Sequence, residues 1–514
     1  MNDLLNQDCV LNLASFVGSS LFASDVGRRT DGHANRRYEI GGDRGRSVRS
    51  RSGTTPGLFA GGGNFITGGN GFSGGRGGDD GGGVGIVKDV QAGQQLSMPR
   101  RKRILMLMSD TGGGHRASAQ ALKAALDELY PDKVDVQIVD VFAELSGPFF
   151  RSIPEQYNFL MKHPTLWRVT YAGGQFWPTR QLAQRTYMFM NFNRLKEAFL
   201  SFEPDMIVSV HPLCQGPPLG VLNRLGIRDR VTFVTVVTDL GGANPTWFHS
   251  GVDRCYVPTQ HLWDYAKRYK MKDHQLRQYG LPIRRMFWSD APDSTLLRRR
   301  LGLKLNVPVV LVVGGGAGVG SLHKVAVTVA RRIEQEEGPY GAQIVVVCGK
   351  NEKLREKLLF EEWPIPVKVT GFVSNMSEYM AAANCIITKA GPGTIAESLV
   401  RGLPIVLSGY LPGQEYGNVK FVQENGVGNY GKGAREIADL VCSLLGDPDE
   451  MAAMSKRAKD LGRPGASYDI AKNVGQLLFE RRQETPLREM EESRTMAYSS
   501  ANTSYRVTRP MLPV

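Results

Sequence analysis

A short turn near residue 390 carries the clearest signal for chemistry in this sequence. Residues 385–388 predict the end of a buried parallel strand, residues 390–393 form an Ala-Gly-Pro-Gly turn, and residues 394–401 predict a helix. Gly402 ends that helix, as expected for a left-handed C-cap. The first N–H groups of a helix are unpaired and carry partial positive charge, so this turn predicts a phosphate-binding site.

Polar side chains follow this turn at positions from which they could contact a nucleotide sugar. Glu397 lies one turn into the helix, where its carboxylate could accept hydrogen bonds from ribose hydroxyls. Gln414 and Glu415 follow the next predicted strand, residues 404–407, and could contact a sugar at the same edge of the sheet. The alternative is an ordinary tight βα turn whose polar residues are solvated.

His115 is the strongest candidate for a catalytic base. It follows three glycines and begins a predicted helix, where the helix dipole disfavours the imidazolium and keeps the ring neutral near pH 7. One alternative is a histidine that only caps the helix. Another is a dinucleotide site, because the segment from Gly112 fits G-x-G-x-x-A and Asp140 follows about one βαβ unit later. A second array of glycine loops argues against it, since one such site does not need both arrays.

Four other residues could lie near the predicted phosphate turn and His115, at the ends of the strands. The guanidinium of Arg284 could contact a pyrophosphate, or it could be solvated. His211, which follows a strand, could line the cleft. Trp247 and Phe248 could form a loop that faces lipid or the acceptor, although such aromatics more often belong to the core. The sequence has no cluster of His, Cys and carboxylate residues with metal-ligand spacing, so we expect no bound metal.

Strands and helices alternate in two series, residues 99–280 and residues 293–483, joined by a linker at residues 281–292. This pattern predicts an α/β fold with two Rossmann-like domains that face each other across a cleft. Ligands of open α/β sheets bind at the carboxyl ends of the strands, where loops such as those at Gly314 and Gly349 lie. Such a cleft suits an activated donor on one side and an acceptor on the other.

The chain has 514 residues and a formal net charge of +13, which suits an anionic partner. Zinc-finger spacing and aromatic-basic RNA motifs are absent, so we expect an anionic membrane surface rather than nucleic acid. The six cysteines are scattered without a CxxC pair, which is typical of buried thiols in a reducing compartment. The sequence has no run of about 18 apolar residues, so we do not expect a transmembrane helix.

The two ends of the chain differ in composition from the middle. Residues 1–52 are rich in arginine and serine and predict a transit peptide, although their acidic residues also fit a disordered tail. Residues 53–98 contain a glycine-rich linker, and residues 484–514 form a polar tail.

Several motifs of this chain occur together in one known family. They are, in chain order, RILMLMSDTGGGHRASA, PTWFH, GLPIR, VGGGAGVG, TGFV, ITKAGPGTIAE and GQEYGN. With them, residues 101–480 resemble the monogalactosyldiacylglycerol synthase family of plants and algae, and more distantly the bacterial transferase that makes lipid II, which has the GT-B fold. The resemblance implies inverting transfer of galactose from UDP-galactose to 1,2-diacylglycerol, without a bound cofactor, by a monotopic protein of the chloroplast envelope, usually of its inner membrane. A homodimer, another UDP-sugar lipid glycosyltransferase and a UDP-sugar epimerase stay open.

The resemblance also implies roles for individual residues. His115 matches the base that acts on the acceptor hydroxyl, and Ala317 departs from the acidic residue that we expect in the family's glycine loop. Apart from the resemblance, the net positive charge leads us to expect aromatic residues in exposed, membrane-facing loops at Phe149, Phe150, Trp247 and Phe248. The residues expected on the acceptor or lipid side are Pro148, His211 and Trp247. The residues expected to bind the UDP-sugar are Gly113, Gly114, Arg284, Gly314, Gly349, Phe372, Val373, Lys389, Gly391, Pro392, Gly393, Thr394, Glu397, Gln414, Glu415 and Asn418.

Overall fold

The computed structural model describes residues 100–111, 114–161, 163–290, 292–314 and 322–480. The predicted transit peptide, the glycine-rich linker and the polar C-terminal tail lie outside the described residues. Gly113 and Ala317 lie outside them as well.

The first sheet consists of six parallel strands in the order β2-β1-β3-β4-β5-β6. Its central strands are buried on both faces, which explains why they are apolar runs rather than alternating patterns. The strands are β1 (Lys102–Met108), β2 (Val134–Asp140), β3 (Met206–Ser209), β4 (Thr232–Val236), β5 (Arg254–Val257) and β6 (Leu276–Gln278). The helices of this half are α1 (Gly114–Leu129), α2 (Pro148–Arg151), α3 (Ile153–Met161), α4 (Pro164–Gln175), α5 (Trp177–Phe202), α6 (Gly216–Leu225) and α7 (Gln260–Arg268).

The second sheet also consists of six parallel strands, in the order β12-β11-β10-β7-β8-β9. Its strands are β7 (Val309–Val313), β8 (Gln343–Val347), β9 (Val367–Thr370), β10 (Cys385–Lys389), β11 (Ile405–Gly409) and β12 (Gly428–Tyr430). The helices that follow β6 in the chain are α8 (Ser294–Arg300), α9 (Leu322–Glu337), α10 (Glu352–Leu359), α11 (Met376–Ala382), α12 (Pro392–Arg401), α13 (Tyr416–Glu424), α14 (Ala434–Leu445), α15 (Pro448–Leu461) and α16 (Ala466–Glu480).

The two halves face each other as the sequence predicted. Gly241 follows β4 and Gly417 follows β11, and their backbones touch, because a Cβ placed on Gly241 would lie 2.1 Å from the carbonyl oxygen of Gly417. The carboxyl ends of the two sheets therefore meet at one cleft between two Rossmann-like domains. Within the residues that the structure describes, no helix combines the length and the apolar character needed to cross a membrane.

Helix α16 packs on the first half, although the sequence pattern grouped it with the second. Its buried side chains, such as Ile470 and Val474, join the core cluster that contains Met106 of β1 and Leu122 of α1. A hydrogen bond adds to this apolar packing, because the hydroxyl of Tyr256 on β5 donates to the side-chain oxygen of Asn473 on α16 at 3.0 Å. The last helix that the structure describes thus crosses back and ties the two halves together.

Gly475 on α16 offers a test of this packing. A Cβ at that position would lie 2.2 Å from the Tyr130 hydroxyl oxygen, so Gly475→Ala must displace the tyrosine or the helix. We expect it to lower the midpoint of thermal unfolding, since overpacking costs about 1–3 kcal/mol. Circular dichroism measures the midpoint. Gly433→Ala, which has open space for the methyl group, is the control, and equal midpoints for both variants would contradict the close contact.

Candidate active site

His115 lies at the start of α1, directly after the loop that follows β1. Its Nδ1 atom is 3.0 Å from the carbonyl oxygen of Val210 and 2.9 Å from the Thr238 hydroxyl oxygen. Because a carbonyl oxygen can only accept, Nδ1 carries the proton and Nε2 is the nitrogen that can take one up. Burial lowers the pKa of His115 to about 4, partly offset by the Val210 carbonyl and Asp110, so the ring is neutral at pH 7. The predicted neutral state agrees, although burial rather than the helix dipole causes it.

His211 lies beside His115, with the ring centroids 4.6 Å apart. The backbone N–H of Leu213 donates to its Nδ1 at 3.2 Å, so Nε2 carries the proton and donates to the Thr111 hydroxyl at 2.9 Å. Burial and the neighbouring His115 hold the pKa of His211 well below its usual value. His211 is therefore a buried, neutral ring next to His115 whose two nitrogens are both engaged, and its role at the cleft stays a prediction.

Trp247 is buried, with 0% of its surface exposed, so the prediction of an exposed, lipid-facing loop is wrong for this residue. Asn244 caps the short 3₁₀ turn Pro245–Trp247 by accepting from the backbone N–H of Thr246 at 3.0 Å, which turns the indole inward. The ring lies 6.1 Å from that of His115, and Nε1 donates to a carboxylate oxygen of Asp239 at 2.7 Å.

Phe248 is also buried, and its ring stacks on Tyr269 at a centroid distance of 5.9 Å. The prediction that Phe248 is exposed is therefore wrong as well. Phe150 packs against the core of the first half, whereas Phe149 is exposed as predicted. Pro148 begins the short helix α2 and is exposed.

Asp239 is a residue of this site that the sequence did not single out. It follows β4 directly and is buried between Trp247 of its own half and Glu415 of the other. Burial raises the pKa of Asp239 to about 7, the Trp247 hydrogen bond opposes the shift, and the negative charge of Glu415 adds to it. Only a Thr-Asp pair at the end of a predicted strand could have indicated it.

Asp140 has a structural role, which removes support from the dinucleotide alternative. One carboxylate oxygen accepts from the backbone N–H of Asp110 at 2.8 Å, and the other accepts from the N–H groups of Phe142 and Ala143 at 3.0 Å. The carboxylate thus accepts three backbone hydrogen bonds, one from the loop after β1 and two from the residues that follow β2.

The predicted phosphate turn has the expected backbone. Helix α12 begins at Pro392 after the extended N-cap Gly391 and ends at Gly402 with φ of 69°, the left-handed C-cap that the sequence indicated. A Cβ on Gly393 would meet nothing within 4 Å, so the space before the first turn of the helix, which includes Thr394, is open. The unpaired N–H groups at such a helix start suit an anion.

Glu397 and Arg284 contact each other at this turn. A guanidinium nitrogen of Arg284 lies 3.5 Å from a carboxylate oxygen of Glu397, which places the linker next to α12. Burial raises the pKa of Glu397 to about 7, and Arg284 opposes that shift. The predicted ribose and pyrophosphate contacts are thus neighbouring groups that could bind adjacent parts of one ligand.

Residues 409–418 close the other side of the turn. Lys389 donates to one oxygen of Glu415 at 2.8 Å, and the backbone N–H of Leu411 donates to the other at 2.9 Å. The Asn418 side chain accepts from the N–H of Gly241 at 2.8 Å and donates to the carbonyl of Ala390 at 2.9 Å. Glu415 and Asn418 are therefore engaged within the protein, while Gln414 is partly exposed beside them.

The remaining predicted residues lie where strands of the second sheet end or α1 begins. Gly314 follows β7, Gly349 lies after β8 with φ of 58°, and Gly114 is the first residue of α1. After β9, Phe372 is exposed and Val373 is partly buried. In the part of the chain that the structure describes, no group of three or more His, Cys, Asp or Glu side chains could hold a metal ion.

Two protein-family models match this chain. The family model for monogalactosyldiacylglycerol synthase matches residues 115–283, and the glycosyltransferase family 28 C-terminal domain matches residues 309–466. A probable monogalactosyldiacylglycerol synthase, chloroplastic, from Nicotiana tabacum is 43% identical over 385 residues, which cover 74% of this chain and 71% of that protein. Monogalactosyldiacylglycerol synthase 1, chloroplastic, from Arabidopsis thaliana is 42% identical over 381 residues, covering 74% and 72%.

The chain belongs to the monogalactosyldiacylglycerol synthase family. Its two facing Rossmann-like domains, the second of which matches a glycosyltransferase domain, form the predicted GT-B fold. The crystal structure of Acinetobacter baumannii MurG aligns with 73% of this chain and 99% of its own chain, at 14% identity and a TM-score of 0.48.

The raised pKa of Asp239 predicts how the stability of this family member depends on pH. The folded protein keeps the Asp239 proton up to about pH 7, whereas a free aspartate loses it near 3.8. The stability that this proton supports is therefore present below about pH 4 and is lost as the pH rises through about 7. Asp239→Asn should flatten that part of the profile.

Urea unfolding at several pH values between 4 and 8 measures how the free energy of unfolding depends on pH. Asp460→Asn, which changes an exposed carboxylate on α15, is the control and should reproduce the wild-type profile. If Asp239→Asn also follows the wild-type profile, the carboxyl group does not hold its proton in the folded protein.

Proposed function

We propose that this protein transfers galactose from UDP-galactose to the free hydroxyl of 1,2-diacylglycerol, with inversion at the sugar carbon, and that His115 is the catalytic base. Family membership identifies a galactosyltransferase that acts on diacylglycerol, and it favours galactolipid synthesis over the epimerase and over other lipid glycosyltransferases. The base role of His115 is supported by the two contacts of its Nδ1 atom, which keep the proton on Nδ1 and leave Nε2 able to accept a proton.

The donor would bind against the second half. The N–H groups at the start of α12 and the Arg284 guanidinium would stabilise the diphosphate as it leaves, without a metal ion. Glu397 beside Arg284 would accept from the ribose, the backbone near Phe372 and Val373 would hold the uracil, and Gln414 would contact the sugar. His115 from the first half would then take the proton of the attacking hydroxyl.

His115→Ala should lower turnover by about 10²–10⁴-fold while UDP affinity changes by only a few-fold, because the base acts on the acceptor and not on the donor. The assay follows transfer from radiolabelled UDP-galactose to diacylglycerol, with the product compared with a galactolipid standard, and calorimetry measures UDP affinity. For the wild type, loss of the base should lower kcat as the pH drops towards 4, where Nε2 takes up a proton.

Glu397→Ala provides the reciprocal control. It should weaken UDP binding, because a hydrogen bond to a charged group contributes roughly 1.5–3 kcal/mol. Normal turnover of His115→Ala would exclude the base role, and unchanged UDP affinity of Glu397→Ala would exclude the ribose contact. A wild-type protein that makes no galactolipid would contradict the proposed function as a whole.

We also propose that helices α2–α5 lie on an anionic membrane surface. The segment formed by residues 148–202 has seven basic and two acidic residues, and it exposes many large apolar side chains. These are Phe149, Phe159, Leu166, Phe176, Trp177, Leu182, Phe189 and Met190. Basic residues near such a surface and apolar side chains at headgroup level both favour binding.

Relatives named chloroplastic support a chloroplast location, and we propose the envelope, at its inner membrane. A homodimer stays a prediction.

The double variant Trp177→Ala, Phe189→Ala should reduce binding to anionic vesicles at least tenfold, because each buried aromatic contributes about 1.5–3 kcal/mol. Flotation measures binding, and high salt should weaken it. Phe360→Ala is the matched control, since Phe360 is 89% exposed but belongs to the second half. Salt-insensitive binding, equal to neutral and anionic vesicles, would contradict the electrostatic part. Full binding of the double variant would contradict the assignment of this surface.

A further inference from the structure

Helix α4 contacts the loop at residues 410–415, which belongs to the opposite half. The indole N–H of Trp167 donates to the carbonyl of Pro412 at 2.9 Å, and Trp167 is only 8% exposed. The next residue of the loop, Gly413, has φ of 82°, and a Cβ there would lie 2.6 Å from the ring of Tyr171. Two consecutive loop residues are thus in direct contact with two aromatic side chains on one face of α4.

The inner face of α3 and α4 is a continuous aromatic cluster. The ring centroids of Tyr157 and Trp167 are 5.4 Å apart, and those of Trp167 and Tyr171 are 5.7 Å apart. Burial and the charges of Glu415 and Asp239 raise the pKa of Tyr157, which shows that the phenol is near the carboxylates of the cleft. This aromatic cluster therefore extends from α3 and α4 towards the candidate active site.

The outer face of the same two helices exposes apolar side chains beside charged ones such as Glu155 and Arg168. Phe159 on α3 and Leu166 on α4 are exposed, and Leu166 is the residue directly before the buried Trp167. Consecutive residues of a helix point in different directions, so α4 presents Leu166 outward and Trp167 inward. One helix pair thus carries both a surface suited to a bilayer and the contact with the loop.

The loop leads directly into Gln414 and Glu415. Glu415 is the N-cap of α13, and its carboxylate is held by Lys389 and by the N–H of Leu411. Because Pro412 lies two residues before Gln414, the Trp167 hydrogen bond limits where Gln414 can place its side chain.

We infer that Trp167 is a positioning residue that couples membrane contact of α3 and α4 to the donor-sugar loop at residues 410–415. The inference rests on the proposed function, because it takes the bilayer as the partner of the outer face and UDP-galactose as the ligand of the loop. Coupling between two sites is reciprocal, so a membrane that fixes the helix pair strengthens sugar binding. The effect should involve the sugar and not the nucleotide, since the loop carries the sugar contacts.

Calorimetry with UDP-galactose and with UDP tests this coupling. Each is titrated into the protein with and without anionic vesicles that contain no diacylglycerol. The wild type should bind UDP-galactose about three- to tenfold more tightly with vesicles, the range expected for one hydrogen bond, and UDP equally in both conditions. Trp167→Phe, which keeps the ring but lacks the N–H, should lose the enhancement, raise KM for UDP-galactose and keep its vesicle binding in flotation.

Trp363→Phe is the matched control, because the Trp363 indole donates to the carbonyl of Leu358 at 3.1 Å. That bond lies before β9, at the edge of the second sheet opposite to the cleft, so this variant should keep the enhancement. Gly413→Ala is a second disruption that leaves the indole intact, and it should reproduce Trp167→Phe if the latter folds poorly.

The outcomes separate the inference from the proposed function. An enhancement that persists in Trp167→Phe and Gly413→Ala, or that is absent from a wild type that does bind vesicles, overturns the coupling. These titrations contain no acceptor, so they do not depend on transfer. A wild type that neither binds vesicles nor makes galactolipid overturns the proposed function instead.

Discussion

The close approach of Gly241 and Gly417 determines the geometry of the cleft. Each glycine lies where a side chain would enter the backbone of the other half, since a Cβ on Gly417 would be 2.3 Å from the Gly241 carbonyl oxygen. Asn418 adds two hydrogen bonds beside this contact, one to Gly241 and one to Ala390 in the phosphate turn. The distance between the two sheets is therefore fixed by backbone atoms, and His115 and α12 are held on opposite sides of the same cleft.

This arrangement places acidic groups in a poorly solvated cleft. Burial raises the pKa of both Asp239 and Glu397 to about 7, so near neutral pH these two carboxyl groups are only partly ionised. Glu415 accepts hydrogen bonds from Lys389 and from the Leu411 N–H in the same cleft. The cleft is thus less negative than its formal charges indicate, which favours entry of a diphosphate near the start of α12. His115 stays neutral in the same surroundings because burial acts on it in the opposite sense.

The membrane proposal and the site chemistry depend on different aromatic residues. Trp247 donates to Asp239 and lies next to His115, so we expect its substitution to affect the proposed chemistry rather than binding to lipid. The exposed apolar side chains lie instead on α2–α5, and Trp177 and Phe189 are among the most exposed of them. Trp167 lies between these two groups, buried against the loop of the second half.

The sequence alone determined the features that depend on local interactions. The left-handed backbone at Gly402 favours glycine, Pro392 fits the first turn of a helix, and the buried strands of parallel sheets are apolar runs, so the turn before α12 and the α/β fold could be predicted. The matching motifs identified the family for the same reason, because they are contiguous segments. Only the tertiary structure decided that Trp247 is buried, that Asp239 lies at the site, that Arg284 contacts Glu397 and that α16 returns to the first half. These properties depend on contacts between residues that are distant in sequence, and desolvation, which shifts the pKa of His115 and Asp239, exists only once those contacts form.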